Sequence, residues 1–320
     1  MATREALEAQ IEASPADPAA YLILSDLLQQ QHDPRGELIA LELVTEHRNR
    51  RRAELLARHP ELAPPLPSDW HIEWYFGFVR RLAINSHALV GLDVFDHPSL
   101  RFLDEVVFLA PGPGAFVELF RAVLERVPRL RSLSIGDPDT RQTWWPVQQS
   151  HDLSPLTHLE RLYACEPIER LDGQALRTLR LECDTDAFRK LGAMSLPVLE
   201  SLSVKNGLTR RETAFDQVRW LFERPPPRLV ELELVDEPGD PVIEILVGSP
   251  LLAQLRRLTL WNAGITETGA RHLQRAFGHL ELLDVSDPLL EDHVIAMLSN
   301  VCREVRTISP WMREILERPG

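Results

Sequence analysis

The chain has 320 residues, 44% of them apolar and 26% charged, enough to fill a substantial core, which rules against a disordered chain. Its formal charge of −13 repels phosphate backbones and anionic membrane surfaces at long range, so no nucleic acid and no membrane is expected as a partner and a basic protein surface is favoured. Three cysteines, Cys165, Cys183 and Cys302, are odd in number and lack CxxC spacing, which argues against a disulfide framework or a closed zinc site and predicts reduced thiols.

In chain order, "MATREALEAQIEASP" places Arg4, Glu5, Glu8 and Glu12 where a signal peptide needs an unbroken apolar run, and no later run approaches the length of a membrane span; a cytoplasmic protein is expected. Leu7 and Ile11, then Tyr21, Leu24 and Leu28, have helical spacing, so two amphipathic helices are predicted, broken at Pro15 and Pro18. A third begins in "HDPRGELIALELV": Asp33 accepts from the free amides of the first turn, Pro34 is preset for the first helical position, and Glu37 suits the positive helix end. Gly36 leaves room for a neighbouring helix, and Arg35 is expected to reach a carboxylate on the preceding one, with Asp26 the candidate. The basic run Arg48, Arg50, Arg51 and Arg52 continues into Leu55 and Leu56 and reads as a solvated helix face rather than a phosphate site.

From about residue 77 one pattern returns, apolar-x-x-apolar-x-apolar: "VRRLAI", "LRSLSI", "LERLYA", "LRTLRL", "LESLSV", "LVELEL", "LRRLTL" and "LELLDV", with a weaker "LDEVVF" and a truncated "VRTI". The step between copies is about 25 residues, which holds one half-buried strand, a turn and a helix. Such a unit cannot bury its own apolar face, so the units are predicted to stack into an α/β solenoid, a parallel sheet on the concave side and helices on the convex side. The 17-residue step from Leu162 to Leu179 is too short for a full helix and predicts an extended or single-turn connection through "CEPIERLDGQ". The preceding step carries a polar excursion at 136–152 with Trp144 and Trp145. In "DPLLEDHVIAML", Asp287 and Pro288 predict a helix start.

These copies, and above all "LRRLTLWNAGITETGARHL" with its I-T-x-x-G-x-x-x-L connection, resemble a leucine-rich-repeat solenoid. The segment "YLILSDLL…HDPRGELIAL", followed by "RRAELLARH" and "W…GFVRRLAI", resembles the repeat-companion domain that precedes leucine-rich repeats in many bacterial proteins. The resemblance implies an all-helical cap over 1–67 and an irregular leucine-rich-repeat domain of about nine to ten repeats over 68–320. It departs from the repeat pattern where Ala263 replaces the usual ladder asparagine.

Catalytic chemistry finds no support: there is no Gly-rich phosphate loop, no GxSxG and no HExxH, so no catalytic residue, cofactor or metal is expected. His151 with His158, and His272 with His279, lack ligand spacing and read as surface histidines. The information lies between the leucines, on the residues facing the concave side. Arg81, Arg161, Tyr163, Arg180, Lys205, Arg257 and Trp261, with Trp144 and Trp145 from the excursion, are the partner-binding candidates, because Arg, Tyr and Trp most often anchor protein interfaces. The strand residues among them also fit ordinary solvated positions, and the two tryptophans of the excursion also fit an inward plug beside the short connection. A non-enzymatic protein–protein interaction scaffold is the leading expectation; regulation of a small GTPase or other enzyme in trans is the alternative, and a hydrolase or transferase the third.

Overall fold

The computed structural model describes residues 3–44, 47–85, 91–109, 113–137, 150–165, 167–183, 190–206, 219–235, 239–276, 280–286, 290–299 and 301–307. They belong to two compact units, 1–142 and 143–320, both α/β, with sheets that are mostly parallel.

The first unit opens with α1 (Arg4–Ala13), α2 (Pro18–Gln30), α3 (Pro34–Ala40) and α4 (Arg48–Arg58). Local chemistry sets their starts. The Thr3 hydroxyl accepts from Ala6 N, the Asp17 carboxylate from Ala19 N at 3.0 Å and the Asp33 carboxylate from Arg35 N at 2.9 Å, with proline at the first helical position of α2 and α3. Helix α3 lies hard against α2: a Cβ on Gly36 would fall 2.7 Å from Gln29 N and 2.8 Å from Ser25 O, so only glycine permits the approach. The Ser25 hydroxyl fastens it by donating to Gly36 O at 2.7 Å.

Strands β1 (His71–Tyr75) and β2 (Phe78–Ile84) form an antiparallel hairpin. Its two turn residues, Phe76 at φ 45° and Gly77 at φ 73°, both have the left-handed backbone that a tight two-residue turn requires. That conformation is costly for a bulky residue. Phe76 is kept there by burial and by stacking on Tyr21 at 5.1 Å between ring centroids. Strand β3 (Glu105–Phe108), helix α5 (Pro113–Arg126) and strand β4 (Ser132–Ile135) follow, with β2, β3 and β4 parallel and Leu82, Val106 and Leu133 in register. Leu7, Ile11, Tyr21, Leu24, Leu28 and Ile39 of the helices share one core with Phe76, Phe78 and Phe102. Residues 1–67 therefore pack in the same unit as the first strands.

Ion pairs tighten this arrangement. Buried Glu8 takes Arg4 Nε at 2.8 Å together with Arg101, and Glu12 takes Arg129, so α1 is tied to the segments after α4 and α5.

In the second unit the sheet runs β6 (Arg161–Ala164), β8 (Thr178–Cys183), β9 (Ser201–Asn206), β10 (Glu231–Val235), β11 (Arg257–Trp261), β12 (Leu282–Asp284) and β13 (Glu304–Arg306), every adjacent pair parallel. Leu162, Leu179, Leu202, Leu232, Leu258, Leu283 and Val305 face one another across it in register, and the leucines are buried. Helices α6 (Gly239–Val247), α7 (Glu267–Ala276) and α8 (Asp292–Leu298) follow β10, β11 and β12; each buries an apolar stripe, such as Val242, Ile243 and Leu246 of α6.

Between β6 and β8 the chain is extended. Ile168–Arg170 (β7) pairs in parallel with His151–Asp152 (β5), a short ladder in place of a helix. The helix anticipated from Asp287 and Pro288 starts later, at Asp292, because Glu291 is still extended at ψ 144°; residues 287–289 lie outside the described residues.

Candidate functional site

The two-residue alternation of the strands sends leucines to one face of the second unit's sheet and polar residues to the other. In register on the polar face, one row runs Arg161, Thr178, Ser201, Glu231, Arg257 and Leu282. The next runs Tyr163, Arg180, Ser203, Glu233, Thr259 and Asp284, and a third joins Glu182 to Lys205, then Val235 and Trp261. Neighbouring strands hold such residues about 5 Å apart, so the rows form a continuous surface rather than isolated positions.

Its centre is an ion cluster around Glu182. That side chain is 1% exposed and accepts from Arg180 Nη2 at 2.7 Å and from Lys205 Nζ at 3.4 Å. The Arg180 guanidinium also lies over the Tyr163 ring, 5.1 Å from its centroid. Burial pushes the Tyr163 phenol well above the ordinary tyrosine range, and the Glu182 carboxylate adds to the shift. Glu182 thus balances one of the two positive charges that Arg180 and Lys205 bring to the face. A carboxylate so deeply buried survives only because two cations compensate its lost hydration.

The structure corrects the expectation for Tyr163, which is buried and presents little surface. Arg161 and Arg257 are exposed, Arg257 at 3.2 Å from Glu231, and Trp261 is half-buried. These residues, with Arg180 and Lys205, stand on one face of one unit. Arg81 belongs to the first unit, where β2 holds it between Glu73 at 2.7 Å and Glu105 at 2.9 Å. Trp144 and Trp145 lie outside the described residues.

Arg35 is a second correction. It is 4% exposed and does not turn to Asp26; its Nη1 donates to Gly77 O at 3.1 Å and to Ser99 Oγ at 3.0 Å, and its guanidinium lies 5.1 Å from the centre of the Phe78 ring. Asp26, on the opposite side of α2 from buried Leu24 and Leu28, is exposed. The cation is used to bind the helices to the hairpin and the 98–100 turn.

Elsewhere, Arg48 and Arg52 of the basic run both pair with Glu42, at 2.9 and 2.5 Å, and Arg50 pairs with Glu54 at 2.9 Å. His151 is buried rather than on the surface, whereas His158 is exposed. Among the described residues no three His, Cys, Asp or Glu side chains converge as metal ligands would, and no helix is long and apolar enough to cross a membrane. The Cys302 thiol donates to the carbonyl of Glu304 at 3.0 Å.

No protein-family model matches the chain, and a search of curated proteins returns no match to its sequence.

Proposed function

We propose that the chain is a non-enzymatic protein-binding scaffold, a leucine-rich-repeat solenoid headed by a helical segment of the repeat-companion type, which uses the polar face of its second unit to engage another protein. The observation that carries this reading is the register of β6 to β12, which turns short repeated motifs into continuous rows of side chains. A surface prearranged in this way loses little conformational entropy on binding. Exposed Arg161 and Arg257 and half-buried Trp261 supply the residue types that anchor interfaces, while the Glu182 cluster braces the strands between them.

The test is comparative capture from native lysate. Wild type, a face variant carrying Arg161→Glu, Arg257→Glu and Trp261→Ala, and a control carrying Arg271→Glu on α7 are used at matched folded concentration. The proposal expects the same protein to be retained by wild type and control and to be lost by the face variant. Equal retention by all three removes the polar face from the reading.

A further inference from the structure

The apolar column of the second unit's sheet ends open. From Leu162 to Leu283 the leucines that face one another across the strands are at most 2% exposed, whereas the last member, Val305 of β13, is only half-buried. Strand β13 is the final strand of the sheet: β12 pairs with one of its edges, and among the described residues no strand pairs with the other. A stacked array stays apart from its neighbours when its last unit is polar on the outside. Here an apolar residue stands at the end, beside an edge of the kind that accepts a further strand.

The register of β13 selects the strand that fits. The carbonyl of Arg306 accepts from Val285 N at 2.7 Å, so it faces β12. Successive residues of a strand turn their N–H and C=O groups to opposite sides, so those of Val305 point outward. The side chains divide between the faces: Glu304 and Arg306 lie beside Leu282 and Asp284 on the polar face, and Val305 beside Leu283 on the core face. Glu304 and Arg306 are exposed and bonded to each other, Arg306 Nε donating to Glu304 Oε1 at 2.7 Å. We propose that β13 pairs antiparallel with β13 of a second copy of this chain, about a two-fold axis at Val305.

In that arrangement each group of the strand meets its complement. The two valines exchange both backbone bonds, as the hydrogen-bonded pairs of an antiparallel ladder do, and their side chains meet on the core face, so the apolar column runs on from one protomer into the next. On the polar face Glu304 stands opposite the partner's Arg306, and Arg306 opposite the partner's Glu304, which makes both cross-strand pairs attractive. A slip by two residues, the smallest that keeps the faces, would set Glu304 against Glu304 or Arg306 against Arg306. The sequence Glu-Val-Arg is therefore self-complementary in one register, as an isologous two-fold contact requires. The contact lies at the edge of the sheet, so it stands or falls independently of partner binding by the polar face.

The experiment is sedimentation equilibrium of the full chain at up to about 0.5 mM, high enough to populate a weak dimer. Salt of about 0.15 M screens the long-range repulsion between two chains of formal charge −13. Wild type should show a reversible monomer–dimer equilibrium. Glu304→Arg and Arg306→Glu each turn both cross-strand pairs from attraction to repulsion and should each weaken association about thirtyfold. Mixing the two single variants restores opposite charges at every pair, so the mixture should form a heterodimer about as tight as the wild-type dimer. Both positions are exposed, and circular dichroism checks that the variants fold. A wild type that stays monomeric throughout, single variants that dimerise like wild type, or a mixture that associates no better than its components overturns the pairing.

Discussion

Leu232→Ala in β10 probes whether the second unit is one stacked core. Leu232 is 2% exposed and faces Leu202 on one side and Leu258 on the other, both buried, so no neighbour can move in without leaving its own register. Removing Cγ and both Cδ atoms forfeits roughly 2.4 kcal/mol at ~0.8 kcal/mol per buried carbon. A rigid surround that leaves a cavity raises the loss to about 3–4 kcal/mol. With a urea m-value of about 2–3 kcal/mol/M, the midpoint should fall by roughly 1–2 M. Tryptophan fluorescence or circular dichroism during urea unfolding reads this directly. Thr259→Ala, half-buried on the opposite face of the next strand, should move the midpoint by less than about 0.5 kcal/mol equivalent. Equal effects from the two variants, or no effect from Leu232→Ala, would refute the alternation of core and solvent faces on which the binding surface rests.

Other consequences can be measured in the same way. Arg35→Met removes the donor to Gly77 O and Ser99 Oγ and should destabilise the first unit by about 2–3 kcal/mol, seen as faster proteolysis within residues 1–62. Gly36→Ala drives a methyl into Gln29 N and Ser25 O and should cost about 1–3 kcal/mol; unchanged melting would show that α2 and α3 can separate freely. Glu182→Gln leaves Arg180 and Lys205 facing a neutral amide and should lower stability by at least about 1 kcal/mol, and Glu182→Asp should restore part of that.

The linear order of the chain carried much of the architecture. Apolar spacing marked α1 and α2, and the capping Asp33 with Pro34 marked the start of α3, because such interactions span only two to four residues. Leucines at every second position marked the strands, since a parallel ladder demands the same alternation from each member. Even the missing helix between β6 and β8 was legible as a length too short to hold one.

Tertiary structure decided what each polar side chain does. Arg35 and Ser99 are 64 residues apart, and no local pattern announces that the guanidinium passes over Phe78 instead of turning to Asp26. The Phe76–Gly77 turn escaped notice because Phe is an unfavourable choice for a left-handed position, tolerated here only through stacking on Tyr21. Glu182 sits among polar strand residues with nothing to distinguish it; its burial between Arg180 and Lys205 depends on which strands become neighbours. Short-range geometry is encoded by residues close in sequence, whereas charge compensation and burial depend on contacts that exist only after the strands and helices have packed.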